Sequence, residues 1–163
     1  MFLYTFIVKL LKKLVNMKKE NVNVRFVDLG LSVKWADMNM GAKSSIENGL
    51  YFAWGDVTSD DGRLPSEGEM RELMEQCNWE WVNKDGKVGY CVRSRVNGNE
   101  IFLPAAGLMA EDKLCLAGEM GYYLSSTIKE NPTGAAELII SPKYRGIYLA
   151  GSYKRTVRLV SEK

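Results

Sequence analysis

Histidine is absent from the 163-residue chain. It is the usual general base near neutral pH and the commonest metal-ligating side chain. Its absence excludes Ser-His-Asp and Cys-His nucleophilic constellations and ordinary His-ligated zinc or iron sites. Paired carboxylates or lysine could still carry catalysis, but the reading is of a protein that is not an enzyme, with no catalytic residue, metal or cofactor assigned. Cysteine is scarce: Cys77, Cys91 and Cys115 lie far apart with no C-x-x-C spacing, which supports neither a zinc ribbon nor a thioredoxin-type motif. An odd count leaves at least one thiol free, and the three read as small buried hydrophobes. In an exported chain a hairpin return would allow a Cys77–Cys91 bridge. Excess charge is lacking as well. A net charge of +2 is too small to imply a nucleic-acid partner, which calls for a strong basic excess or a dense basic stripe. There is no tandem repeat and no low-complexity linker.

What is present is one domain's worth of chain with 46% hydrophobic residues, enough for a substantial core. Residues 1–16 differ from the rest. At 100° per residue, Leu3, Phe6, Ile7, Leu10, Leu11 and Leu14 share one face and Thr5, Lys9, Lys12, Lys13 and Asn16 the other, the signature of an amphipathic helix. It is too short and too charged to span a bilayer. It is also a poor signal peptide, because the positive charges follow the apolar run and no small-residue cleavage site appears. Three readings stand: contact with a membrane surface or partner, docking on its own domain, or an upstream extension with Met17 as the start. Residues 17–25 read as a linker and 26–163 as the folded domain.

Within that domain Leu31 to Trp35 alternates as a half-buried strand does. Leu50 to Trp54 reads as a buried strand entered from a Glu47-Asn48-Gly49 turn, and Thr58 to Gly62 as a polar loop. Pro65-Ser66 with Glu69 three residues on forms a capping box. The stripe Met70, Leu73, Met74, Cys77 then predicts a helix over about 67–76. Asn83 to Gly86 reads as a turn into a strand from Val88 to Arg95. Val96-Asn97-Gly98-Asn99 carries the hairpin signal of a type I′ turn, with Ile101 to Leu103 returning and Pro104 stopping the strand. Ala105 to Gly121 reads as irregular. The tail reads as a meander of strands at 136–140, 146–150 and 156–160, joined by turns at 142–145 and 151–154.

Ordered blocks along the chain resemble a known family. They are Val27-Asp28-Leu29-Gly30-Leu31-Ser32-Val33-Lys34-Trp35-Ala36, Asn39-Met40-Gly41-Ala42, Gly49-Leu50-Tyr51-Phe52-Ala53-Trp54-Gly55-Asp56, Arg63-Leu64-Pro65-Ser66-Glu67, Cys77-Asn78-Trp79-Glu80-Trp81, Ile101-Phe102-Leu103-Pro104-Ala105-Ala106-Gly107, Gly121-Tyr122-Tyr123-Leu124-Ser125-Ser126-Thr127 and Val157-Arg158-Leu159-Val160. Over about 26–160 this is similar to the Fibrobacter succinogenes major paralogous domain of Bacteroidetes and Fibrobacter proteins. The resemblance implies an α+β, C-type-lectin-like fold of the formylglycine-generating-enzyme type, with a small twisted antiparallel sheet, flanking helices and long loops. It also implies a ligand-binding face near the C-terminus, as in the variable proteins of diversity-generating retroelements. Departures are visible: Asp37 and Met38 stand where members often carry Cys, Leu124 where Trp is usual, and Leu159 where Pro closes the pattern.

Formylglycine-generating chemistry needs soft thiolate ligands for copper late in the domain, and no cysteine follows Cys115. Glu67 and Glu69 read as helix capping and dipole compensation, Asp60 and Asp61 as a solvated loop. Glu130-Asn131-Pro132 is a scrambled near miss of the calcium-lectin motif, and calcium wants several convergent oxygens. The stronger candidate is the tail, where Tyr144, Arg145, Tyr148, Tyr153, Lys154 and Arg155 interleave aromatic and cationic side chains on turns and strand edges. Aromatics offer contact area at small entropic cost and arginine offers directional donors. That mix suits a glycan or a protein surface, or is simply an exposed basic hairpin whose tyrosines cover the sheet. Trp35, Trp54, Trp79 and Trp81 read as core, and Arg158 as structural. The functional expectation is a non-catalytic ligand-recognition module, exported or carried on a phage particle. The alternative is a structural or assembly domain that uses its N-terminal helix as a tether.

Overall fold

The computed structural model describes residues 2–17, 23–129 and 134–163. It is a mixed α and β structure with small antiparallel sheets. The N-terminal helix α1 runs Phe2–Met17. Strands β1 (Phe26–Val27) and β2 (Lys34–Ala36) precede helix α2 (Glu67–Gln76). A three-stranded sheet follows: β3 (Cys77–Lys84), β4 (Lys87–Ser94) and β5 (Glu100–Pro104). Next come the short pair β6 (Leu108–Ala110) and β7 (Lys113–Cys115), then β8 (Gly121–Ile128), β9 (Ala135–Ile140) and β10 (Arg145–Leu149). In that second three-stranded sheet the order is β10-β9-β8, which leaves β10 on the edge. The last strand, β11 (Val160–Ser161), returns to β2, so the two ends of the domain share one sheet.

Helix α2 forms where its capping signal places it. Ser66 Oγ accepts from Glu69 N at 3.1 Å, and Ser66 N donates to the Glu69 carboxylate at 3.4 Å, so two otherwise orphaned amides are satisfied. Met70 and Leu73 are buried. The far end has no glycine cap, because the chain turns directly into β3 at Cys77. Side chains satisfy its last carbonyls instead: Trp79 Nε1 donates to Leu73 O at 3.0 Å, and Arg95 donates to Glu75 O and Cys77 O at 3.1 and 3.3 Å.

The larger core gathers Leu29, Leu31, Val33 and Trp35, the α2 stripe, the inner face of β3-β4-β5, and Tyr123, Leu138 and Ile140 from β8 and β9. A smaller core joins Leu124 to Ala150, Val157 and Leu159. Arg158 ties several segments together although it is almost wholly buried. Its guanidinium donates to Asn39 Oδ1 at 2.9 Å, Ala36 O at 3.1 Å and Phe102 O at 2.6 Å. Burial pushes it down to about 10.

Several local expectations change in three dimensions. Leu31, Val33 and Trp35 are buried in alternation, yet only 34–36 are paired as strand. Leu50 to Trp54 is no buried strand: Leu50 and Trp54 are exposed and only Phe52 is bridged, to Arg155. Trp54 is therefore not core, and Trp79 and Trp81 are half-buried, flanking Tyr90 edge-on at 5.2 and 5.0 Å. The paired positive φ angles of a type I′ turn fall at Asp85 (53°) and Gly86 (85°); in the Asn97-Gly98 loop only Gly98 is positive, at 73°. That longer loop instead reaches back, with Asn97 and Asn99 side chains donating to Asp28 O at 2.8 and 3.0 Å. The irregular 105–121 segment contains the β6–β7 hairpin. Of the expected strand at 156–160 only Val160 is paired as strand, in β11; the rest is a buried extended segment that changes partners, from Tyr122 O to Met40 N and Ala36 N.

All three cysteines are free. Cys77 pairs in register with Ser94, and Cys91 with Glu80. Three residues apart along each strand, the two thiols point to opposite faces of the sheet, so a Cys77–Cys91 bridge does not fit.

Candidate functional site

The six tail residues divide into three groups. Tyr144 and Tyr148 flank Gly146 on the outer face of edge strand β10. A β-carbon on Gly146 would lie 2.9 Å from the Tyr148 ring, so glycine is what lets that ring lie back across the strand. The Tyr144 and Tyr148 rings meet edge to face at 6.4 Å, a favourable aromatic geometry. Both are about half exposed, 45% and 49%. The turn beneath them is fixed from two sides: Ser141 N donates to Tyr144 O at 2.8 Å, and Tyr90 OH donates to Ser141 O at 2.7 Å.

Arg145 points the other way, as alternation on a strand requires. Its guanidinium lies 4.9 Å above the Trp79 ring and 5.7 Å from that of Tyr90, a cation–π arrangement. It is half-buried and is held apart from the tyrosine face.

Tyr153 and Lys154 are exposed on the following turn, Tyr153 at 50%. Backbone bonds between Lys154 and Met109, at 3.0 and 2.9 Å, hold this turn against β6. Arg155 belongs beneath the surface, only 3% exposed, which corrects its assignment as a surface contact. Its Nε donates to Glu137 Oε2 at 2.5 Å, and its Nη1 donates to Gly151 O at 3.0 Å and to Tyr153 O. A guanidinium spent on a buried carboxylate and two turn carbonyls positions the turn and has little left to offer a ligand.

Glu137 stands on β9 directly opposite Tyr148. Burial pushes its carboxyl above the ordinary carboxylate range, while the Arg155 guanidinium pulls it back. Tyr122, beside it on β8, has its phenol raised first by burial and then by the negative charge of Glu137. This face of the sheet thus holds a buried Arg155–Glu137 pair, with Tyr144 and Tyr148 exposed along its β10 edge and Tyr153 exposed on the turn that Arg155 fixes. Glu137, Tyr122 and Gly146 were not singled out from the sequence. A lone glutamate in the apolar run Ala-Ala-Glu-Leu-Ile-Ile was the available signal, since a buried carboxylate needs a cation.

Other groups are arranged differently. Glu67 is hydrogen-bonded by Lys129 and Arg71, which hold its carboxyl below the usual range, and Glu69 pairs with Arg63 at 2.8 Å. Neither is poised against the other as an acid–base pair would be. Among the described residues no three His, Cys, Asp or Glu side chains gather as a metal site. Glu130-Asn131-Pro132 lies outside the described residues. A cavity of about 510 Å³ lies elsewhere, lined by Val24, Met38, Met40 and Leu50 among others, and a second of about 390 Å³ adjoins the 58–62 loop. No protein-family model, no curated protein and no solved structure matches the chain.

Proposed function

We propose that the chain is a non-catalytic recognition module that presents an aromatic surface, built on sheet β8-β9-β10 and the 151–154 turn, to a glycan or protein surface. The observation that carries this reading is the exposure of three tyrosines over an internally compensated sheet. Tyr144, Tyr148 and Tyr153 are each about half exposed, while the charges below them neutralise one another. Apolar rings normally left to cover a core here face outward on rigid elements, as binding aromatics do. Lys154 adds an exposed cation beside them. The scaffold we propose is the C-type-lectin-like fold of the Fibrobacter succinogenes major paralogous domain, on the strength of the ordered sequence blocks and the burial of residues from four of them. Trp35, Phe102, Leu103, Tyr123, Leu124, Arg158 and Val160, one or more from four of those blocks, are all buried.

The test is a glycan array together with a pull-down, each run on the wild-type chain and on Tyr144→Ala/Tyr148→Ala/Tyr153→Ala. A central aromatic contact is worth about 2 kcal/mol or more, roughly thirtyfold in affinity. The triple variant should lose the captured ligand and keep its melting temperature to within a few degrees. Equal capture by both chains rejects this surface. Ordered self-association with no captured ligand favours instead a structural or assembly domain of a surface or phage particle.

A further inference from the structure

Helix α1 presents an apolar face that the domain does not cover. Leu3, Phe6, Ile7, Leu10 and Leu11 on that face are all exposed. Hydrophobic side chains left in water on one side of a regular helix mark a surface built to be covered. Sixteen residues make a helix about 24 Å long, and no described helix is long and apolar enough to cross a membrane.

Charge separates the possible occupants. Five of the chain's 22 basic residues lie within residues 1–19 (Lys9, Lys12, Lys13, Lys18 and Lys19), where there is no acidic residue. The other 17 are outnumbered by all 20 acidic residues, so the remainder of the chain carries a net −3. An acidic body tethered to a purely basic amphipathic helix is complementary to an anionic surface at the helix alone.

A second copy of the helix is a poorer occupant. Leu3, Ile7, Leu10 and Leu14 follow heptad spacing, but for only two heptads, whereas a coiled coil is recognised over three or four. Phe6 and Leu11 broaden the stripe at the flanks, where a zipper would carry paired Glu and Lys. A wide apolar face with lysines opposite it is the form of a helix lying in the plane of a bilayer interface.

We infer that α1 is an interfacial anchor that sinks its apolar face into a bilayer containing anionic lipid and leaves the acidic domain standing off the surface. The inference does not depend on the tyrosine surface. It is tested on the full chain by co-sedimentation with phosphatidylglycerol–phosphatidylcholine vesicles and with phosphatidylcholine vesicles, at low and high salt. Binding to the anionic vesicles should be tighter by on the order of a hundredfold, given three lysines on the helix, and should weaken with salt. Ile7→Glu/Leu10→Glu should lower it by about tenfold or more. All four tryptophans lie outside α1, so an unchanged tryptophan-detected melt shows that the variant domain is folded. Equal binding to neutral vesicles, or binding to neither, overturns the inference. So does concentration-dependent dimerisation that the same double substitution abolishes.

Discussion

Replacing Arg155 with methionine strands a carboxylate. Both partners of the pair are nearly inaccessible, 4% and 3% exposed at the side chain, so water cannot take over the missing hydrogen bonds of Glu137. Removing one partner of a buried pair costs about 3–5 kcal/mol. The lower end applies here, because the turn carbonyls that Arg155 also serves belong to exposed Gly151 and Tyr153 and recover solvent. For a domain of this size about 3 kcal/mol corresponds to roughly 6–12 °C in melting temperature. The loss should depend on pH. Burial already raises the Glu137 pKa, and Arg155 opposes it; without the cation only the raising influence is left. The folded variant then holds a proton that the unfolded chain releases, so its stability falls as pH rises through that window, by up to about 1.4 kcal/mol per unit. Urea melts of wild type and Arg155→Met at pH 5 and pH 8 should give a clearly smaller difference at pH 5. Glu137→Met/Arg155→Met should recover most of the loss, since a matched apolar pair carries no stranded charge. A loss under about 1 kcal/mol that is the same at both pH values would refute the buried pair and return Arg155 to the surface as a contact residue.

Two further outcomes follow from local geometry. Ser66→Ala removes the acceptor for Glu69 N and half of the capping box, and should cost on the order of 1 kcal/mol in denaturant unfolding. Burial raises the phenols of Tyr51, Tyr122 and Tyr123, the last to about 12 from an ordinary value of 10. Above pH 10 the unfolded chain releases protons that the folded state keeps, so these groups make stability fall with rising pH. Arg158, pushed down to about 10, works in the opposite sense. The diagnostic comparison is therefore Tyr123→Phe, which should be less stable than wild type at pH 8, because Pro104 O loses its 2.6 Å donor, and should show a flatter decline between pH 10 and 12. Parallel declines in urea melts would contradict the assignment.

Much of the local structure was determined by the chain's own order of residues. The α2 start needs only Ser66, Glu69 and an apolar stripe, all within a few residues, so it is legible without tertiary information. The same holds for the strands at β4, β9 and β10, where alternating or continuous apolar runs end in turn residues. The amphipathic α1 is likewise written in a period. Tertiary structure decided the rest, because a side chain's partner can lie anywhere in the chain. Leu50 to Trp54 has the composition of a buried strand, but its neighbours in space bridge only Phe52. The 156–160 segment is buried and extended, yet its backbone bonds are spread over residues 36, 40, 63 and 122, and only Val160 joins a ladder. Arg145 and Arg155 look alike in a basic, tyrosine-rich tail. Strand alternation turns Arg145 onto Trp79, and a glutamate 18 residues away takes Arg155 below the surface. Which cations stay at the surface was therefore settled by tertiary contacts, since a buried carboxylate must recruit its cation from whatever the fold brings alongside.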